Sequence, residues 1–357
     1  MLLIDSHLDL SWNALGWNRD LTRTVPEIRR TEVGMTEKGR ATNTVSLPDM
    51  RRGNVGICLG TVLARGNPEG GYPGLDFRTR EMASAMTLGQ LAYYQLLERQ
   101  GHIRLIGDRP SLDACVAAWD ADRATAPIGL VVSMEGADPI LSPADIPLWW
   151  ERGLRAVGPV HYGVSAYAHG TGSPGGLLPD GPALLRAMEA VGMILDVTHF
   201  ADQAFDEALG LFGGFVMASH HNCRALVDHQ RQLTDPQIRT LVARGAVIGV
   251  ALDAWMLYPG GWVRGETSNT VVSFEDVADH IDHICQLAGN ASHVAIGSDL
   301  DGGYGTEQCP HDLDTIADLQ KLAPLLSGRG YSDSDIAGVF HGNWLRFFRE
   351  AWGPRTR

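Results

Sequence analysis

Eight short, almost uninterrupted apolar runs alternate with longer amphipathic segments along this chain, and no other feature restricts the fold as much. The runs cover 2–9, 55–63, 128–135, 154–161, 192–199, 214–220, 246–252 and 293–300. Stretches such as Ile128-Gly-Leu-Val-Val-Ser-Met134 and Ala246-Val-Ile-Gly-Val-Ala-Leu252 leave no polar face. Strands buried on both sides read this way, and parallel sheets covered by helices bury both sides. Helical periods lie between the runs, at 78–100, 180–191, 202–210, 234–244 and 273–288. Thr234-Asp235-Pro236 and Ser332-Asp-Ser-Asp335 mark two helix starts with capping residues. Repeated β–α alternation predicts an α/β fold, a single (β/α)8 TIM-type barrel over 1–357 with long βα-loops across its C-terminal mouth. An open doubly wound sheet would need a glycine-rich phosphate turn after the first strand, and Asp5 to Leu10 contains no glycine.

Three Gly/Pro-rich stretches, 66–74, 169–176 and 258–265, read as loops over that mouth. Segment 10–54 is long and rich in arginine, and it is expected to cross the same face. The formal charge of -13 argues against nucleic acid or an anionic membrane as partner. The 5 cysteines are scattered without a Cys-x-x-Cys, which suits a reducing compartment. No secretory signal or membrane-length apolar run is visible, so a cytoplasmic location is the expectation. A homodimer is the base-rate expectation for a soluble protein and rests on nothing particular to this chain.

Active sites of such barrels lie at the C-terminal ends of the strands. Those ends carry His7 and Asp9 after the first run, Glu135 after the third, and His161 after the fourth. His199 follows the fifth, His220 the sixth and Asp299 the eighth. Residues two apart on a strand share a face, so His7 and Asp9 offer a nitrogen and an oxygen to one point in space. Imidazoles and carboxylates converging on one rim suit zinc or its neighbours, and a carboxylate can bridge two ions. Taken singly, a strand-end histidine is more often a hydrogen-bonded core or surface residue than a ligand. The joint pattern, on six of eight strands, is hard to obtain from packing alone. His280 and His283 lie three apart on a helix, but Asp279 and Asp282 beside them point to a solvated face. No nucleophile elbow, phosphate-binding loop or dinucleotide fingerprint competes with the metal reading.

With these residues assembled, the chain resembles the membrane (renal) dipeptidase family, the M19 metallopeptidases among the amidohydrolase-like barrels. The resemblance rests on Asp5-Ser-His-x-Asp-Leu10, Glu135-Gly136, Asp196-x-x-His199, Ser219-His-x-Asn-x-Arg-Ala-Leu226, Gly297-Ser-Asp-x-Asp-Gly302 and Gly342-Asn-x-Leu-Arg346. It implies that His7 and Asp9 bind one Zn2+, that His199 and His220 bind a second, and that Glu135 bridges them together with a water or hydroxide. It further implies that Asp299 is the acid/base and meets the substrate amino group, while His161 polarises the scissile carbonyl. Arg231 falls where the family places an arginine that holds the substrate carboxylate. Leu8, Ala137 and His221 depart from the residues usual at their positions, which bears on pocket shape and not on the ligands.

The function these readings imply is a zinc-dependent dipeptidase acting through a metal-bridged hydroxide, with acceptance of a C-terminal D-residue left open. Two other classes stay open: a metal-dependent hydrolase of N-acyl amino acids, lactones or phosphoesters on the same scaffold, and a non-catalytic binding protein built on a retired enzyme. The presence of both Glu135 and Asp299 argues against the last.

Overall fold

In a computed structural model that describes residues 1–353, every expected strand run enters one parallel sheet. Its strands are β1 (Leu3–Leu8), β2 (Val55–Val62), β3 (Ile128–Glu135), β4 (Leu154–Gly158), β5 (Ile194–Asp196), β6 (Val216–Met217), β7 (Ile248–Val250) and β8 (Val294–Ile296). Each strand neighbours the next in chain order, and β8 returns to β1 where Asp5 faces Ile296. A bridge between Ala218 and Ile248 joins β6 to β7, with Gly249 N–H donating to Ala218 O at 2.8 Å. The ring is thereby closed, as a TIM barrel requires. Residues 354–357 of the expected single domain lie outside the described residues.

Helices cover the sheet where the sequence periods place them: Arg80–Arg99, Gly181–Val191, Asp202–Leu211, Asp235–Ala243 and Phe274–Ala288. Thr234 and Ser332 form capping boxes with Gln237 and Asp335, so both expected helix starts are present. No helix among the described residues is long and apolar enough to cross a membrane.

Several boundaries differ from the sequence reading, for physical reasons. The expected strand 154–161 stops at Gly158, because Pro159 has no N–H to give a ladder. His161 therefore sits in the following loop. The expected strand 192–199 ends at Asp196, and His199 has φ of 70°, which no strand permits. A short strand, Ile103–Leu105, occupies the lower half of the β3 edge that β4 takes higher up, an addition the eight runs do not announce. Segment 10–54 holds three short helices, Leu10–Gly16, Val25–Thr31 and Leu47–Arg52. The expectation of a solvated His280 fails: it is buried, and its Nδ1 accepts the Cys223 N–H at 3.0 Å. His283 pairs instead with Asp235 at 2.8 Å.

Alternation within the strands decides what the barrel interior contains. On β3, Leu130, Val132 and Met134 join the outer core under the helices, while Val131 joins the inner cluster. The period of two then sends Ser133 and Glu135 inward as well. Inward residues are apolar at the N-terminal end (Ile4, Leu59, Val131, Ile194, Met217), small and hydroxylic in the middle (Ser6, Thr61, Ser133, Ser219), and ionisable at the C-terminal rim. Gly297 is required there, since a Cβ would run into the Ser219 carbonyl oxygen.

Candidate metal centre

The rim brings His7, Asp9, Glu135, His161, His199, His220 and Asp299 together. Two of them are held by unusual backbone. His199 and Asp299 have φ of 70° and 58°, left-handed values that cost a non-glycine residue about 1–3 kcal/mol. The turn after β8 is packed against Asp299, because a Cβ on Gly302 would collide with Asp299 Oδ1.

Glu135 stands at the centre. Its Oε1 lies 3.0 Å from His199 Nε2 and 3.3 Å from His220 Nε2. Its Oε2 lies 3.7 Å from His7 Nε2, which is itself 3.8 Å from Asp9 Oδ1 and 3.8 Å from Asp299 Oδ1. Two donor sets, His7/Asp9/Glu135 and Glu135/His199/His220, thus share one carboxylate, and His7, His220 and Asp299 form a third close triple. His7 Nε2, Asp9 Oδ1 and Glu135 Oε1 are buried without a hydrogen-bond partner. Isolated polar atoms in such a place are expensive unless something pairs with them. A divalent cation satisfies nitrogen and oxygen donors at once, so the side chains present fit one.

The far side of each imidazole is prepared for that role. His199 Nδ1 is 2.9 Å from Thr171 Oγ1, His220 Nδ1 is 2.9 Å from Ser219 Oγ, and His7 Nδ1 is 3.4 Å from Thr61 Oγ1. Thr171 can give its hydroxyl proton to the His199 carbonyl at 3.4 Å and accept Nδ1–H in return. That arrangement turns the Nε2 lone pair toward Glu135. Charge balance points the same way. Burial lowers His7 to about 3, so it is neutral at any ordinary pH, and burial also holds His161, His199 and His220 well below the usual imidazole range. Burial raises Asp9 to about 7, and burial with neighbouring carboxylates pushes Glu135 and Asp299 well up. Without a cation, these carboxyls retain protons that a metal would displace.

Above the rim lies a cavity of about 210 Å³. Arg231 is almost fully buried beside it; Nη2 donates to the His220 carbonyl at 2.9 Å, and Nη1 has no partner. His161 Nε2 is 3.9 Å from Glu135 Oε1, and its Nδ1 is 3.4 Å from Arg65 Nη1. Arg65 is anchored by Asp76 at 2.6 Å. Sequence reading passed over Arg65, Asp253, Arg264, Trp12 and Lys38, all of which line the cavity. Asp253 follows β7 directly and Arg65 lies just past β2, so reading every strand end would have reached both. Trp12, on the short helix Leu10–Gly16, and Lys38 and Arg264, on loops, carry no comparable signal.

A closed parallel barrel with histidines and carboxylates converging at its C-terminal mouth defines a metal-dependent hydrolase. More specifically, the chain belongs to the membrane dipeptidase family, peptidase family M19, whose family model matches residues 1–353. Dipeptidase verJ of Clonostachys rogersoniana is 29% identical over 64% of this chain and 56% of its own length. Human dipeptidase 3 is 27% identical over 49% of this chain and 33% of its own length. Among solved structures, a metallo-dipeptidase of family M19 superposes with a TM-score of 0.79 at 23% identity, covering 99% of both chains. A metallopeptidase from Rhodobacter sphaeroides, solved with a phosphinate mimic of the dipeptide L-Ala-D-Ala, gives 0.79 at 21% identity, again over 99% of each chain. These structures share the fold over nearly the full length, and the family is one of metallo-hydrolases acting on dipeptides.

Proposed function

We propose that this member is a binuclear zinc dipeptidase, with His7 and Asp9 on one ion, His199 and His220 on the other, and Glu135 between them. The observation that carries the reading is the single Glu135 carboxylate turned toward two separate donor sets. When bound, a cation pair would lower the pKa of a water in the cavity and hold negative charge as it develops on the substrate carbonyl. The chain's own groups supply the rest. Arg231, buried with a free Nη1, receives the substrate carboxylate and sets the distance to the scissile bond. His161, steadied by Arg65, donates toward the carbonyl oxygen. Asp299 Oδ1 meets the substrate amino group, takes a proton from the attacking water and returns it to the leaving nitrogen. A cavity of about 210 Å³ is smaller than the ~300–1,000 Å³ typical of drug-sized ligands, which favours two residues over a longer peptide.

A panel of L,L- and L,D-dipeptides with N-acetylated controls, run on metal-replete and chelated enzyme, tests the proposal. Free dipeptides should be cleaved only by the replete enzyme, and Asp299→Asn should lower kcat/KM by about 10²–10⁴-fold. Hydrolysis of the blocked analogues in preference to the free dipeptides would overturn it.

A further inference from the structure

The cavity is lined by two cationic side chains that a dipeptide of neutral side chains does not call for. Besides Arg231 and the Arg65–Asp76 pair, it is lined by Lys38 and Arg264. Both come from loops that add nothing to the closed barrel, Lys38 from the segment after β1 and Arg264 from the loop after β7. Neither has a carboxylate at ion-pair distance among the described residues. Arg264 donates Nε–H to Gln308 Oε1 at 2.6 Å, and its two terminal nitrogens have no protein acceptor among those residues.

Three carboxylates lie near these cations, and each has another task. Asp253 is buried, and its Oδ1 accepts from Gln308 Nε2 at 2.6 Å and from Trp255 N–H at 3.4 Å. Glu307 is exposed and accepts the Gly305 N–H at 3.0 Å. Asp299 is the group assigned above to the substrate amine. Lys38 is half-buried, and although burial lowers its ammonium to about 8, it stays protonated at neutral pH. Its ammonium lies against the turn after β8: a Cβ on Gly303 would sit 4.0 Å from Lys38 Nζ and 3.6 Å from the Trp12 ring. The adjacent Gly302 abuts Asp299 Oδ1, so Lys38 and Asp299 flank one turn, at the end of the cavity where the amino-terminal residue of a substrate belongs.

We propose that Lys38 and Arg264 form a subsite for a carboxylate on the side chain of the amino-terminal residue, so that dipeptides beginning with Asp or Glu are the preferred substrates. The inference rests on the dipeptidase reading and on Asp299 receiving the amino group. A basic side chain is disfavoured there, because it would meet two cations and compete with Gln308 for Asp253. A neutral one would leave both cations without a carboxylate partner, at a cost that falls mainly on the half-buried Lys38.

The test compares metal-replete enzyme on Glu-Ala with Gln-Ala, on Ala-Glu with Ala-Gln, and on Lys-Ala and Ala-Ala. A charge-assisted contact predicts kcat/KM for Glu-Ala about 10-fold or more above Gln-Ala, carried mainly in KM and shrinking as salt rises. In Lys38→Met combined with Arg264→Gln, the Glu-Ala to Gln-Ala ratio should fall toward unity. Equal cleavage of Glu-Ala and Gln-Ala, a preference for Lys-Ala, or a charge effect confined to the second residue would each overturn the subsite while leaving the dipeptidase reading in place. Failure to cleave any dipeptide, Ala-Ala included, would overturn both.

Discussion

At the N-terminal end of the barrel, Ile4, Leu59, Val131, Ile194 and Met217 project inward against Trp344, Phe347 and Phe348. At the other end, the same strands or the turns leaving them project His7, Glu135, His199, His220 and Asp299. The floor consists of groups content with one another: Trp344 is fully buried, donates Nε1–H to the Ile296 carbonyl at 3.2 Å, and stacks on Phe348 at 5.6 Å. The rim consists of groups that burial alone leaves unsatisfied, among them His7 Nε2 and Glu135 Oε1. The floor stabilises the fold, and the rim draws on that stability to hold charge and left-handed backbone in place. One scaffold can do both because strand alternation separates the two ends by only a few residues.

Substitutions at the two ends should therefore have opposite signatures. Glu135→Gln removes the shared carboxylate, and kcat/KM should drop by about 10³-fold or more, since several kcal/mol of charge stabilisation depend on it. The metal-free variant should melt no lower than the metal-free parent, because a buried carboxyl with few partners has gone. A large loss of apo stability would mean that the rim is structural after all. Trp344→Ala should do the reverse, destabilising by about 3–5 kcal/mol in denaturant titration while the folded fraction keeps its kcat. A marked fall in kcat would show that floor and rim are mechanically coupled.

Much of this contrast is legible in the sequence. Val131, Ser133 and Glu135 are two apart in an apolar run, so their common inward face follows from strand geometry. What is not legible comes from tertiary placement. Lys38 and Trp12 reach the cavity from a 10–54 segment whose short helices pack on neighbours unseen in the local pattern. His199 gives no hint of its positive φ, since glycine is the usual signal for that backbone. His280 appears solvated because acidic residues flank it, yet the inner face of its helix turns it onto the Cys223 N–H. The helix Arg109–Asp122 also goes unread, although Asp108 and Pro110 cap it well.

A smaller effect would sharpen the account of the rim. Thr171 comes from the loop after β4, and its hydroxyl at 2.9 Å fixes the His199 ring. Thr171→Val keeps the shape and deletes the acceptor, so affinity for the ion on the His199 side should weaken about 10–100-fold. Thr171→Ser should restore it. Competition with a coloured chelator reads both variants. If valine binds metal as tightly as threonine, the ring is oriented by packing and not by the hydroxyl.

The last difference between the ends is in protons. Asp9 is raised to about 7 by burial, and Glu135 is also raised, whereas the rim histidines stay neutral down to acid pH. The metal-free protein therefore carries carboxyl protons at pH 6 that the unfolded chain has already lost. A raised carboxyl favours the fold's protonated form, so this contribution weakens apo stability as pH rises from the ordinary carboxylate range toward 7. Cation binding expels those protons, so affinity should increase as pH rises through about 7, with roughly one proton or more released at pH 6. Calorimetry in two buffers of different ionisation enthalpy measures that release directly. Binding controlled by histidines held this far below the usual imidazole range would release protons only in acid, and no release at all at pH 6 would show the carboxyls already ionised. In that case burial is not what sets the rim apart from the floor.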